Sequence, residues 1–399
     1  MHSTQFVAAV AALAGFAAAK TCSKDINVVD PNPVIDCEVV DADIIVDKDV
    51  AGDLIIDGPK QIKGDLIVNN ATNLLSISST TINSIGGKFQ LTSLNSLNSI
   101  EMDSLRSVQD LEMIKLTNLR SLVFGTEGVT KANSVQISDT WIDNLSGLKL
   151  ATVDSLKIDN NQRLVKFEST LVNVTTELII NNNGKGMEID LDELESAEEI
   201  QIANVKAFRV PLLETVGASL KLDKCDNLES FMAPNLTKVK DAVSFINNKK
   251  LSNISLPLLK EIGGDLRIVN NTKLTDIDGF PKLETMASIN FGGNFEKADM
   301  PALDTVPGTA EVSTSAKNEI GEKFCAFFVD ADDDDKIKGG ADCTYDNENA
   351  LEGGETEGGQ SGSGSGSSGK DDDEGAAGMI SVNTALVGLG LLAGIAQLL

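Results

Sequence analysis

The segment Val216-Gly217-Ala218-Ser219-Leu220-Lys221-Leu222 opens the first of four consecutive copies of one sequence unit. The other copies open at Val239-Lys240-Asp241-Ala242-Val243-Ser244-Phe245, Ile262-Gly263-Gly264-Asp265-Leu266-Arg267-Ile268 and Met286-Ala287-Ser288-Ile289-Asn290-Phe291. The leading apolar residues are 23 positions apart, at Leu220, Val243, Leu266 and Ile289. A fixed period in the twenties predicts a solenoid in which each unit is one coil.

The leading apolar position recurs toward the N-terminus in steps of 20 to 24 residues, at Leu66, Phe89, Leu111, Val135, Leu156, Leu178 and Ile200. Each unit also holds two further apolar pairs, such as Leu251/Ile254 and Leu259/Ile262. This pattern indicates three short strands per coil. One coil cannot bury its apolar residues alone, so stacking must complete the core. The sequence therefore predicts an all-β, right-handed parallel β-helix of about eleven coils over residues 66–305.

The N-terminal 19 residues contain no Asp, Glu, Lys or Arg, and the stretch from Phe6 to Phe16 is almost wholly apolar. Ala17-Ala18-Ala19 supplies the small residues that signal peptidase requires. These features predict a signal peptide over 1–19, with a buried N-terminal helix as the alternative.

The C-terminal tail, Ala385 to Leu399, is 15 uncharged residues long, whereas a membrane span needs about 20. An uncharged spacer and the small residues Gly375-Ala376-Ala377 precede it. Small site, spacer and apolar tail form the signal for a glycosylphosphatidylinositol (GPI) anchor. We expect attachment at Gly375, with Ala376 and Ser368 as alternatives, and removal of 376–399. A tail-anchored helix is the other interpretation. An anchored chain would lie outside the cell, at the outer leaflet of the plasma membrane.

Four of the five cysteines flank the repeats: Cys22 and Cys37 precede them, and Cys325 and Cys343 follow. A secreted chain matures in an oxidising compartment, so the simple arrangement pairs the cysteines within each end. Each disulfide would staple a cap over exposed strand edges, at 20–65 and 306–350. We then expect Cys225 to be a free thiol buried at a corner, with an intermolecular disulfide as the alternative.

Asparagine recurs four residues after the leading apolar position, at Asn70, Asn160, Asn182, Asn247 and Asn270. Asparagine tolerates left-handed backbone, so this row predicts a tight corner; a ligand-binding row is the alternative. Six Asn-X-Ser/Thr sequons are candidate N-glycosylation sites, at Asn144, Asn173, Asn235, Asn253, Asn70 and Asn270. The last two compete with the corner role.

Composition excludes several kinds of chemistry. The formal net charge of −27 argues against nucleic acid and anionic lipid as partners. The single histidine, His2, lies in the signal peptide, which removes histidine triads and most zinc catalysis. A paired-carboxylate glycosidase stays open, because six acids crowd one coil: Asp190, Asp192, Glu193, Glu195, Glu198 and Glu199. Strand alternation should turn most of them to solvent, so we expect no catalytic, cofactor or metal site.

The remaining segments complete the domain plan. Gly52-Asp53-Leu54-Ile55-Ile56 is interpreted as a partial coil within the N-terminal cap. The run Asp330 to Asp335 lacks the Gly and distant Glu of a calcium loop and is expected to be a solvated acidic loop. Residues 351–375 are rich in Gly, Ser and acids and predict a flexible stalk. Only one Trp and one Tyr are present, which disfavours a deep sugar-binding cleft.

The unit from Ile262 to Ile277, with its Gly-Gly-Asp-Leu opening and Asn270-Asn271 pair, resembles the repeat of receptor L domains, which are leucine-rich-repeat-like β-helices. With the signal peptide, terminal cysteines, sequons, stalk and anchor signal, the chain resembles fungal GPI-anchored cell-wall organisation proteins. The resemblance implies a non-enzymatic role in wall organisation and integrity, in the wall or at the plasma membrane. Wall polysaccharides or wall proteins are the implied partners, and the oligomeric state stays open.

Two other functions stay open beside this one. The first is a module that captures a wall glycan or peptide on one face, and the second is a glycan-modifying enzyme with paired acids. One departure from the family is the stalk, which is short and acidic (Asp371-Asp372-Asp373-Glu374), where a long Ser/Thr-rich stalk is common.

Overall fold

The computed structural model describes residues 20–351. The expected signal peptide at 1–19, the stalk beyond residue 351, the attachment residue Gly375 and the propeptide at 376–399 lie outside the described residues. Their assignments therefore stay predictions.

The described chain consists of 33 β-strands and one α-helix. In the first half, the strands are β1 (Thr21–Cys22), β2 (Ile26–Val28), β3 (Val39–Val40), β4 (Ile44–Val46), β5 (Gly52–Ile55), β6 (Gln61–Ile62), β7 (Leu66–Asn69), β8 (Leu74–Ser79), β9 (Ser84–Thr92), β10 (Ser99–Met102), β11 (Ser107–Leu116), β12 (Ser121–Val123), β13 (Ser134–Thr140), β14 (Thr152–Asp159), β15 (Lys166–Glu168) and β16 (Asn173–Asn181). In the second half, the elements are β17 (Met187–Asp190), β18 (Ser196–Ala197), β19 (Ile200–Ala203), β20 (Val205–Arg209), β21 (Thr215–Val216), β22 (Leu220–Asp223), β23 (Ser230–Met232), β24 (Lys238–Val239), β25 (Val243–Ile246), β26 (Asn253–Ser255), β27 (Glu261–Ile262), β28 (Asp265–Val269), β29 (Asp276–Ile277), β30 (Ser288–Gly293), β31 (Lys297–Ala298), β32 (Ala310–Thr314), α1 (Asn318–Asp333) and β33 (Ala341–Thr344).

One parallel sheet of 22 strands, the main sheet, runs the length of the solenoid. The leading apolar residues predicted from the sequence face one another in register along it, as Leu220, Val243, Leu266 and Ile289 do. The pairing continues beyond both predicted ends, to Ile44 and Ile26 before Leu66 and to Ala310 and Ala341 after Ile289. Counting from Ile44 to Ala310 gives about 13 turns rather than eleven.

The extra turns were not predicted from the sequence, for a different reason at each end. Alanine stands at Ala310 and Ala341, and the 31-residue step between them contains helix α1. At the other end, Ile44 lies 22 residues before Leu66, within the spacing of the ladder, but it was assigned to the N-terminal cap together with Gly52–Ile56. Ile26 precedes Ile44 by only 18 residues, which is shorter than any step of the predicted ladder.

Most turns carry the expected strands: a short strand and a main strand, both in the main sheet, and a third strand on another face. The turn between β13 and β14 has no third-face strand. The third-face strands form four small parallel sheets, β5-β8-β10-β12, β15-β17-β20, β23-β26 and β29-β31. The interpretation of Gly52–Ile55 as a partial coil is wrong. This segment is β5, which pairs with β8 on the third face of a complete turn. Its likeness to Gly64-Asp65-Leu66 arose because both strands bury alternate apolar residues.

A single hydrophobic core fills the solenoid from end to end. The leading residues from Ile44 to Ala310 are all at most 1% exposed, because alternate strand residues point inward. The C-terminal end is closed by α1, where Phe324 stacks on Phe295 at 5.6 Å and Phe328 meets Phe291 edge-on at 5.9 Å. Asp330 to Asp333 form the last turn of α1 rather than a loop, although most of the acidic run is exposed as expected.

Both predicted disulfides are present, Cys22–Cys37 and Cys325–Cys343, with Cα–Cα distances of 6.0 and 5.5 Å. Cys22–Cys37 closes a loop that contains Pro31, whose carbonyl accepts a hydrogen bond from the Ile55 N–H at 2.9 Å. The loop therefore covers the edge of β5. The second disulfide ties α1 to β33. Between residues 20 and 351, no helix is long and apolar enough to span a membrane.

Candidate functional site

The asparagine row forms the predicted corner. Asn70, Asn160, Asn182, Asn247 and Asn270 all have left-handed backbone, with φ between 51° and 60°. The same turn position is also left-handed at Asn204, which continues the row, and at four positions where another residue type stands: Ser93, Lys115, Asp139 and Lys224. The row therefore serves backbone geometry. Two of its side chains are also bonded to each other, since Asn270 Nδ2 donates to Asn247 Oδ1 at 2.7 Å.

A second asparagine row lies one residue further on; its repetition is visible in the sequence, but its burial was not predicted. Asn161, Asn248 and Asn271 are completely buried, and Asn183 is nearly so. Asn248 shows the pattern: its Oδ1 accepts from the Cys225 N–H at 2.8 Å, and its Nδ2 donates to the Leu222 carbonyl at 3.0 Å. These side chains satisfy buried backbone groups of the preceding turn, so they cannot reach a ligand. The doublets Asn160-Asn161, Asn182-Asn183, Asn247-Asn248 and Asn270-Asn271 were the available signal.

Cys225 occupies one position of this buried row and is a free thiol, as predicted. Its Sγ lies 3.4 Å from the Asp223 carbonyl oxygen and 3.8 Å from that of Ile202. Burial raises the pKa of the thiol to about 12. The thiol is therefore protonated at neutral pH, which makes it a poor nucleophile.

The six candidate acids are spread around one whole turn. Asp190 ends β17 on the third face and contacts the Arg209 guanidinium. Glu199 borders the main sheet, where it accepts from Gln201 Nε2 at 2.7 Å and Lys221 Nζ at 3.3 Å. The other four, Asp192, Glu193, Glu195 and Glu198, are exposed. This distribution gives no support to a shared catalytic centre. In residues 20–351, no group of three or more His, Cys, Asp and Glu is placed to hold a metal ion.

The sequons differ in accessibility. Asn70, Asn144 and Asn253 are exposed, whereas Asn173, Asn235 and Asn270 are half-buried. The half-buried Asn173 accepts a hydrogen bond from Ser196 Oγ at 2.8 Å, and Asn270 donates to Asn247 as described above. Exposure thus favours the first three as glycan acceptors, and glycosylation at every sequon stays a prediction.

Two cavities are prominent on the surface. One, of about 670 Å³, lies at the C-terminal end and is polar; there Asn347 Nδ2 donates to Ser313 Oγ at 2.8 Å. The chain then crosses the outer side of the main sheet at Gly292. A Cβ on Gly292 would lie 2.7 Å from the Ala350 carbonyl oxygen, so the close approach requires glycine.

The other cavity is a groove of about 520 Å³ on the third face, between β20 and β23. Phe208 lies beneath it, and Met232 forms an exposed apolar wall. Lys206 Nζ donates to Glu188 Oε1 at 2.7 Å on its rim. The Lys206 ammonium lowers the pKa of Glu188 through this hydrogen bond and through its charge. Of the features described, this groove is the one that combines open volume, apolar surface and charge.

Comparison with known proteins gives a family. No family model and no solved structure matches the chain. A cell surface GPI-anchored protein of Arthroderma benhamiae is 30% identical over 365 residues, which are 90% of this chain and 92% of that protein. The chain belongs to the family of fungal GPI-anchored cell-surface proteins. Two further relatives match over less than half of either chain: protein ecm33 of Aspergillus fumigatus, 32% identical over 185 residues, and the cell surface GPI-anchored protein ECM33 of Candida albicans, 30% identical over 174 residues.

Family membership confirms the resemblance inferred from the repeats and places the protein at the cell surface. None of these relatives is named as an enzyme. Other relatives include the cell wall protein ecm33 of Schizosaccharomyces pombe, 26% identical over 189 residues.

Proposed function

We propose that this protein is a GPI-anchored, non-enzymatic surface protein that supports the organisation and integrity of the fungal cell wall. The observation that carries the proposal is the end-to-end similarity to a GPI-anchored cell-surface protein. Its closed, disulfide-capped solenoid fits an extracellular structural role, because stacked turns give a long surface on a stable core. Wall polysaccharides or wall proteins are its proposed partners, and the GPI anchor is its proposed attachment to the plasma membrane.

The proposed attachment residue, Gly375, offers a direct test. Gly375→Trp with Ala376→Trp and Ala377→Trp should block anchor transfer, because transamidase sites require small residues. We expect the uncleaved chain to be retained inside the cell. A control, Gly353→Trp with Gly354→Trp, places two of the same bulky residues in the stalk and should leave anchoring intact. Surface labelling before and after phospholipase treatment measures anchoring of both variants. Continued anchoring of the triple variant would show that the attachment residue is not Gly375, Ala376 or Ala377.

A truncated chain separates anchoring from function. Stopping the chain after Gly375 should release a folded ectodomain into the medium, because every described strand lies upstream. We expect this secreted form to fail to restore resistance to wall-binding dyes in cells lacking the protein, while the anchored form restores it. Rescue by the secreted form would show that the protein acts as a diffusible factor, contrary to the anchored role.

A second function, capture of a polypeptide on the third face, is favoured by one observation, the groove between β20 and β23. A glycan-modifying enzyme has less support, because the candidate acids are dispersed around a turn and paired with cations or solvent.

A further inference from the structure

The groove between β20 and β23 arises from the shortest turn of the predicted ladder. The turn that starts at Ile200 has 20 residues, whereas the next has 23. The difference lies at the corner: the inward-facing Phe208 comes four positions after the left-handed Asn204, but Phe231 comes seven positions after Lys224. The missing residues leave a recess, and Asn227 of the longer next turn stands at its edge.

The recess interrupts the stacking of third-face strands. Phe208 and Phe231 still stack inside the core, with ring centroids 5.8 Å apart. On the surface, however, β20 and β23 belong to separate sheets, and no backbone pairing joins these two strands. Two strand edges therefore face the groove with hydrogen-bonding groups that the neighbouring turn does not use. Such edges favour a polypeptide ligand, because an extended peptide offers matching N–H and C=O groups.

The groove surface is apolar along one side. Met232 is 56% exposed, and Pro211 and Pro234 flank it. The only aromatic residue in the lining, Phe208, is 3% exposed and cannot present its ring face. Sugar sites ordinarily stack rings on exposed aromatic side chains. The lining therefore suits aliphatic side chains better than sugar rings.

The charged side chains on the rim of the groove indicate which charge the ligand carries. Both cations are neutralised within the protein: Lys206 binds Glu188, and Arg209 contacts Asp190 and lies 3.6 Å from Glu188. Two rim carboxylates, those of Asp192 and Glu229, are exposed and have no ion-pair partner in the described chain. The unneutralised charges at the groove are thus both negative, which favours a cationic partner.

We propose that this groove binds an extended basic segment of a partner protein, in which lysine or arginine residues alternate with aliphatic ones. The aliphatic side chains contact Met232 and the two prolines, and the cations pair with Asp192 and Glu229. The inference deepens the proposed interaction role and rests on it. Peptide binding and surface anchoring are nevertheless measured separately, so failure of one is distinguishable from failure of the other.

The test is a selection of displayed random dodecapeptides on the intact protein, purified from expressing cells and immobilised. We expect enrichment of sequences that alternate Lys or Arg with aliphatic residues. One enriched peptide, made with a fluorescent label, should bind the protein saturably by fluorescence anisotropy. Its affinity should fall as salt rises, because the paired charges are exposed.

Variants locate the binding. Asp192→Lys with Glu229→Lys should weaken binding of the selected peptide about tenfold or more. Met232→Ser should also weaken binding, because it removes the apolar wall without adding a charge. The matched control, Glu101→Lys with Glu284→Lys, changes the net charge equally at two exposed acids away from the groove. It should change the affinity less than twofold. Thermal melting by circular dichroism checks that each variant is folded.

Three results would overturn the proposal. The first is a selection without enrichment, and the second is enrichment of acidic or neutral sequences. The third is a selected basic peptide that binds the groove variants and the control equally well. A neutral β-glucan or chitin oligosaccharide that binds the protein and loses affinity on Met232→Ser would also overturn it, in favour of a glycan site.

Discussion

Replacing Asn248 by alanine should destabilise the solenoid from its interior while leaving its surface unchanged. The Asn248 side chain is completely buried and holds two backbone groups of the preceding turn. Alanine removes both hydrogen bonds without altering the hydrophobic pattern. The substitution therefore isolates the contribution of the buried asparagine row.

The expected loss follows from the bonds removed. The Cys225 N–H, 2.8 Å from Asn248 Oδ1, is left without its acceptor in a buried site, which costs about 1–3 kcal/mol. Loss of the bond to the Leu222 carbonyl adds about 1 kcal/mol. The total, about 2–4 kcal/mol, is a large share of the roughly 5–15 kcal/mol that stabilises a typical domain.

Urea unfolding followed by circular dichroism measures the loss, and hydrogen exchange at the Cys225 amide locates it. Asn227→Ala is the matched control, because Asn227 is exposed and accepts one bond from Lys250 Nζ at 3.1 Å. Its effect should be within about 0.5 kcal/mol. If Asn248→Ala unfolds at the same urea concentration as the control, the buried row does not stabilise the turns and the reasoning fails.

Three further predictions concern the same core. Leu266→Asp should unfold several turns, because an unpaired buried carboxylate costs several kcal/mol; a native-like melting curve by circular dichroism would contradict the ladder. Cys225→Asn should raise the melting temperature by a few degrees, since the new amide can donate to the Ile202 carbonyl as Asn248 does to Leu222, whereas Cys225→Ala should lower it. The native Cys225 thiol, with a pKa raised to about 12, should resist iodoacetamide at pH 8 and react fully in urea, as mass spectrometry would show.

The sequence predicted the core better than it predicted the surface. The 23-residue spacing of Leu220, Val243 and Leu266 identified the in-register contacts, because a core shared by stacked turns requires an apolar residue at each equivalent position. The turns led by Ala310 and Ala341 were not predicted, since alanine contributes little apolar area and is common at both buried and exposed positions.

The groove could not be predicted from the periodicity of the sequence. The 20-residue step before Leu220 was visible in the sequence, but it marks only that residues are missing. Whether their absence closes a corner or opens a recess depends on the three-dimensional path of the chain, which turns at the left-handed Asn204 and buries Phe208 four positions later. Likewise, Asn248 could be recognised as part of a repeat, but its burial follows only from the left-handed turn at Asn247.

The two disulfides acquire a role beyond the turns they join. In a stack whose turns contact only their neighbours, loss of structure starts at an end and proceeds inward by fraying. Cys22–Cys37 and Cys325–Cys343 span 15 and 18 residues, and closing a loop of that size stabilises by about 3 kcal/mol. This stabilisation opposes the first step of unfolding at each end of the stack. Two local crosslinks can thus slow proteolytic digestion of the whole rod, a useful property for a protein outside the cell.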